Sequence, residues 1–213
     1  MTAKSTRLLQ ALKAEKTARE KSRQSLLAFT EYTFPEYEAA PHHKLIAKTL
    51  EAVESGEIDR LMVTMPPRHG KSELVTKRFP AWWLGRHPRG QVITASYNSD
   101  LARDFGRSVR NIVNGSKYAN VFKTRLAADS KAADRWNTNK DGAYVAAGVG
   151  TAVTGRGADL LIIDDPLKDR AEADSELQRD NVWNWFTSTA YTRLMPGGAV
   201  IIVQTRWHED DLA

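Results

Sequence analysis

Four short β-rich runs, at 61–65, 91–95, 159–163 and 199–203, alternate with helical segments at about 71–84, 99–113 and 172–190. That alternation constrains the fold more than any other feature. Strands separated by helices run the same way, and their apolar faces are buried only if helices cover both sides of the sheet. The expected architecture is therefore α/β, a mainly parallel central sheet flanked by helices. Between the second and third runs, Trp136-Asn137-Thr138 and Ala143-Tyr144-Val145 flank Asn139-Lys140-Asp141-Gly142, which predicts a hairpin turn. Ahead of the alternating part, residues 5–28 lack Gly and Pro and predict one helix, and a second helix over about 42–54 ends at Gly56. The division is a basic helical arm over 1–28 and one globular domain over 29–213. The sequence stops at Ala213 just after a strand, which reads as an internal boundary.

The formal charge of +5 sits in the arm. Residues 1–25 hold seven Lys or Arg against two Glu, whereas the remainder holds 24 basic and 24 acidic residues. Net charge therefore says little about nucleic-acid binding by the body. The longest apolar runs are far too short to span a bilayer, so no membrane association is expected, and the N-terminus lacks the apolar core of a secretory signal. The chain has no cysteine, which excludes disulfides and thiolate metal sites and is compatible with a reducing cytoplasm.

Two strand ends carry the chemistry. Leu61 to Met65 runs into Pro66-Pro67-Arg68-His69-Gly70-Lys71-Ser72 and then a helix. Strand, loop, Gly-Lys-Ser and helix is the order that surrounds a phosphate with backbone N–H groups at a helix N-terminus. In that arrangement Lys71 reaches the β- and γ-phosphates, the Ser72 hydroxyl binds Mg²⁺, and Gly70 lets the backbone approach closely. Met65 stands where the usual pattern has its first glycine, and the plain alternative is a basic surface turn. Leu160-Leu161-Ile162-Ile163 ends in Asp164-Asp165, an uncharged strand that gains carboxylates where ligands of parallel sheets bind. Asp164 would hold Mg²⁺ through water and Asp165 would polarise an attacking water; the alternative is an Asp-Asp-Pro turn. A further strand ends at Gln204-Thr205-Arg206, where a polar tip could sense the γ-phosphate.

Met-Pro-Pro-Arg-His-Gly-Lys-Ser, Ile-Thr-Ala-Ser-Tyr-Asn at 93–98, Thr-Gly-Arg-Gly-Ala-Asp at 154–159, Ile-Ile-Asp-Asp-Pro at 162–166 and Gln-Thr-Arg-Trp-His-Glu-Asp-Asp at 204–211 follow one another in order. From about residue 29 onward the chain resembles the large terminase subunit of tailed bacteriophages. The resemblance implies a P-loop NTPase fold of the ASCE, RecA-like type, with ATP and Mg²⁺ as cofactors. It also implies pumping of double-stranded DNA into a procapsid in the host cytoplasm. The implied partners are a portal protein, the small terminase subunit and further copies in a ring on the portal, with a monomer in isolation. By the same resemblance the Walker A residues fall on Arg68, His69, Gly70, Lys71 and Ser72, with Glu73 beside them. The Walker B acid falls on Asp164, the catalytic carboxylate on Asp165, where many members have Glu, and the coupling motif on Thr205. The adenine-contacting stretch falls around Pro41, His42 and His43. The family continues into a nuclease domain that these residues do not include, so DNA cleavage is not expected.

Two sets of arginines remain. Arg103, Arg107 and Arg110 lie at i, i+4 and i+7 on a predicted helix, opposite Leu101, Phe105, Val109 and Ile112. They would either track DNA phosphates or form a solvated, Asp-paired face. Arg156, between Gly155 and Gly157 just before the acidic strand, is suited to stabilising transition-state charge, in trans in a ring; an ordinary loop arginine is the alternative.

Overall fold

The computed structural model describes residues 3–130, 132–153, 155 and 157–213, so Arg156 lies outside the described residues. Two helices, α1 (Ala3–Gln24) and α2 (Leu26–Thr33), replace the single helix expected over 5–28. The break is at Ser25, whose extended backbone and hydroxyl, accepting from the Ala28 N–H, cap α2. Helix α3 (Pro41–Glu54) begins on a proline whose missing N–H costs nothing at that position, and Gly56 at φ 79° turns the chain away after it.

Strand β1 (Arg60–Thr64) leads through the loop into a wide π-helical segment, Glu73–Arg78, continuous with α4 (Phe79–Arg86). Pro80 explains the widening, because a proline in a regular helix collides with the carbonyl four residues back, here Thr76. The chain continues through β2 (Gln91–Ser96), α5 (Ser99–Val113), α6 (Ser116–Val121), β3 (Arg135–Asn137) and β4 (Ala143–Gly148). It ends with β5 (Ala158–Asp164), α7 (Arg170–Asp174), α8 (Glu176–Trp185) and β6 (Leu194–Gln204).

The described strands form one six-stranded sheet in the order β1-β6-β5-β2-β4-β3. All neighbours are parallel except β3, which runs antiparallel to β4 with Trp136 opposite Tyr144. The expected hairpin is present, with Asp141 at φ 66° in its turn. Its second arm does more than the sequence suggested, since β4 is a full member of the parallel sheet beside β2. Alternate residues of β5 feed two cores. Leu160 and Ile162 pack with Phe79, Trp82 and Val109 on one face, and Leu161 and Ile163 with Ala173, Val182 and Trp185 on the other. All four β5 residues are fully buried, which is why that run contains no polar side chain until its end.

Close packing also reverses an ordinary rule at Gly106 in α5. A Cβ there would lie 2.2 Å from the Ala133 carbonyl oxygen and 3.3 Å from the Tyr144 ring. In an open helix Gly→Ala gains roughly 1 kcal/mol, but a forced backbone shift costs about 1–3 kcal/mol. Gly106→Ala is therefore expected to lower the midpoint of urea unfolding; an unchanged or raised midpoint would show that α5 can slide away from the β3 approach.

Candidate active site

The C-terminal ends of β1, β6, β5 and β2 meet at one edge of the sheet, and the loop after β1 folds over them. Met65 N–H donates to the Gln204 carbonyl at 3.2 Å, and the loop then reverses through two left-handed residues, Arg68 (φ 64°) and Gly70 (φ 77°). The loop is braced from α3. The Nδ1 of His43 accepts from the Ala40 N–H at 3.1 Å, so its Nε2 carries the proton and donates to the His69 carbonyl at 2.9 Å. The Nε2 of His42 lies 3.3 Å from the same carbonyl. A Cβ on Gly70 would stand 2.5 Å from the His43 Nε2, so both the backbone conformation and the brace require glycine.

Lys71, at the end of the loop, is buried, and its Nζ lies 2.8 Å from Oδ2 of Asp165 and donates to the Thr205 hydroxyl at 3.3 Å. The other Asp165 oxygen accepts the Thr205 N–H at 2.8 Å, and the Thr205 hydroxyl reaches the Met65 carbonyl at 3.3 Å. One polar knot thus ties the ends of β1, β5 and β6. Asp165 itself sits at φ 44°, an uncommon region for a non-glycine residue. Its N–H is held by the Val203 carbonyl at 2.9 Å, and its carbonyl accepts the Tyr97 N–H at 3.2 Å.

Asp164 is buried beside this knot and accepts a hydrogen bond from the Thr76 hydroxyl. Burial pushes its carboxyl up to about 6, the nearby Asp165 charge adds to the rise, and the Thr76 and Ser72 hydroxyls with Lys71 pull against it. Ser96, opposite Asp164 in the β2–β5 register, has a buried hydroxyl without a partner among the described residues, as does the Gln204 Oε1 at the tip of β6. A buried carboxylate, two hydroxyls beside it and unpartnered oxygens nearby fit a hard cation such as Mg²⁺ that brings waters and phosphate oxygens with it. No group of three or more His, Cys, Asp or Glu that could hold a metal occurs among the described residues.

The sequence-derived residues divide accordingly. Lys71, Ser72, Asp164, Asp165 and Thr205 converge, with His43 and Gly70 one layer behind. Arg68 and His69 are exposed on the loop. Glu73 faces its own helix instead: burial would raise its carboxyl, but hydrogen bonds and charge from Lys77 and Arg78, both at 2.8 Å, hold it below the usual range. On α5, Arg103 and Arg107 pair with Asp100 at 2.9 Å and Asp104 at 2.8 Å, the solvated arrangement. Sequence reasoning missed Thr76 and the histidine brace. Thr76 had a signal, since it stands four residues beyond Ser72, one turn along the same helical segment. A separate cavity of about 620 Å³ lies at the opposite edge of the sheet, where Arg86 and His87 both bind Glu54.

A family model described as terminase large subunit, T4likevirus-type, N-terminal, matches residues 62–213. The chain belongs to this large terminase family. Among solved structures it is similar to the large terminase of bacteriophage HK97, with a TM-score of 0.51 at 15% identity, over 84% of this chain and 36% of that one. At that identity the likeness speaks for the fold, and the chain spans little more than a third of the HK97 terminase. No curated protein matches. The terminase match begins inside β1, so it takes in the whole convergent site but not α1, α2 or α3.

A buried carboxylate raised from 3.8 to about 6 makes stability depend on pH in a fixed direction. Below the lower value the group is protonated folded and unfolded alike; as pH rises through the interval the unfolded chain ionises first, and the fold loses on the order of 3 kcal/mol. Asp164→Asn removes that loss. The variant is expected to be more stable than the wild type at pH 8 by about 1–3 kcal/mol in urea unfolding, with the difference shrinking toward pH 4. A variant less stable than the wild type at pH 8 would mean that the hydroxyls around Asp164 already compensate its burial.

Proposed function

We propose that this domain hydrolyses ATP with Mg²⁺ and couples hydrolysis to the movement of double-stranded DNA into a procapsid. The observation that carries the reading is the convergence of Lys71 and Ser72, from the loop after β1, on Asp164 and Asp165, from the end of β5. The strand between them, β6, ends in Gln204 and Thr205. A lysine-bearing loop and an acid-bearing strand separated by one polar-tipped strand support a P-loop fold of the ASCE, RecA-like kind.

In this reading the loop N–H groups and Lys71 bind the phosphates, while Ser72 and Asp164 hold Mg²⁺, which supplies charge neutralisation at the phosphate oxygens. Lys71 is engaged by Asp165, so phosphate competes with a carboxylate for the same ammonium. As Lys71 turns to the phosphates, Oδ2 of Asp165 is released to accept a proton from water, while the Thr205 N–H keeps Oδ1 oriented. Thr205 thereby links the state of the lysine to the end of β6, which suits a coupling residue. Both ring nitrogens of His43 are committed, which leaves half-buried His42 as the side chain available to face the adenine. The partners proposed with this function are portal protein, the small terminase subunit and further copies of the chain in a ring on the portal. The setting is the host cytoplasm, and no described helix is long and apolar enough to cross a membrane.

Lys71→Ala is expected to lower ATP turnover by about 10²–10³, and Asp165→Asn to keep nucleotide binding while losing hydrolysis. Turnover near the wild-type rate in Lys71→Ala would overturn the site; in Asp165→Asn it would transfer the role of base elsewhere.

Arg156 is proposed to act on the nucleotide of a neighbouring subunit, a contribution of roughly 10³–10⁵ in rate for such arginines. Mixing Arg156→Ala with Lys71→Ala subunits on portal and DNA should recover ATPase activity that neither shows alone. Co-assembled mixtures that stay inactive would refute the trans role.

A further inference from the structure

Helix α1 begins as an exposed rod. From Ser5 to Ala14 every residue is exposed, and only beyond Glu15 does the helix settle against the body, where the Arg23 guanidinium donates to the Val121 carbonyl and the Trp82 indole to the Ser22 carbonyl. The rod carries leucines that its own chain does not cover: Leu8 and Leu12 are 64% and 59% exposed, and Leu9 lies beside them. Leu8 and Leu12 are one turn apart, flanked by Arg7, Lys13 and Lys16. Phosphate binding would employ the cations and leave the leucines unexplained.

A surface of complementary character lies on the other side of the sheet. The rings of Trp183 and Phe186 are 6.2 Å apart, those of Phe186 and Tyr191 5.6 Å, and the Arg60 guanidinium sits 5.5 Å over Tyr191. Met62 shares the face of edge strand β1 with Arg60 and is 58% exposed, while Trp183 is 55% exposed. This apolar strip is bordered by carboxylates. Glu176 and Asp180 lie on the Trp183 side of α8, and with Asp210, Asp211 and Trp183 they line a cleft of about 230 Å³ in which Arg179 is the one cation among the described residues. From Asp169 to Asp180 the chain holds five acidic residues against two arginines.

We infer that the basic, leucine-bearing start of α1 docks on the acidic, aromatic face of α8 in a second copy of this chain. The contact is between copies because α1 packs against α2, α4 and α6 on one side of the sheet, whereas α8 covers the other. Donor and acceptor are different surfaces, so the association is head-to-tail, the kind that closes into a ring or continues as a filament. A rod of this size gives a small interface, so the association is weak and strongly dependent on salt.

Sedimentation of the full chain without nucleotide tests the contact, so its failure leaves the ATPase reading untouched. The wild type should self-associate with rising concentration. Lys13→Glu/Lys16→Glu should be monomeric, as should Glu176→Lys/Asp180→Lys, and their equimolar mixture should associate again, because the basic rod of one variant meets the acidic face of the other and its acidic rod meets the basic face. Leu8→Ser/Leu12→Ser should weaken association at least about tenfold with the charges intact. All substituted side chains are on the surface, and circular dichroism confirms that each variant folds. A wild type that stays monomeric, variants that associate like the wild type, or a mixture that fails to pair would each overturn the inference. So would variants of α1 that lose only binding to double-stranded DNA.

Discussion

A carboxylate at the end of a wholly buried strand imposes conditions on everything around it. Leu160 to Ile163 are drawn into the centre of the sheet by their apolar side chains, and Asp164 follows into a region of low dielectric where its charge is costly. Its neighbours answer that cost. Thr76 and Ser72 offer hydroxyls and Lys71 brings a positive charge, while the nearby Asp165 carboxylate, at φ 44°, adds to the cost. The polarity that compensates one buried group is also of the kind that suits a metal ion and phosphate. The compensation is partial, and burial leaves the Asp164 carboxyl raised to about 6.

The loop that carries Lys71 is held from two sides, by α3 and by the ends of β5 and β6. His43 fixes the His69 carbonyl from α3, and Thr205 and Asp165 fix the lysine from β6 and β5. A buried ammonium tied to one carboxylate and one hydroxyl has few positions available. The same tie connects the lysine and the acid to the tip of β6.

Much of this was legible in the residue order. The limits of α5, Ser99–Val113, coincide with the expected helix, because Asn98 caps it and its apolar face repeats at helical spacing. Strand β5 was evident as an apolar run closed by two acids. The break at Ser25 was not evident, because a serine inside an Ala- and Lys-rich stretch reads as helix until Leu26 and Phe29 are seen to need a different direction for burial. The parallel pairing of β4 was hidden by its hairpin with β3, a local signal that outweighed a distant one. Thr76 was not singled out, and His43 was read for an adenine contact rather than as a brace of the loop; each acquires its role from a partner that folding supplies.

What the sequence determined by itself is the class of sheet, the residue types at its functional edge and the family to which those motifs belong. All of these follow from patterns within a few residues, where backbone geometry alone relates neighbours. What only the tertiary structure decided is which strand lies next to which. With β6 between β1 and β5, Asp165 meets Lys71, Thr205 joins them, and Asp164 falls to Thr76 and Ser72. No local pattern encodes that order, because it is set by how the crossover helices pack on the two faces of the sheet, a competition among burial energies of residues far apart in the chain.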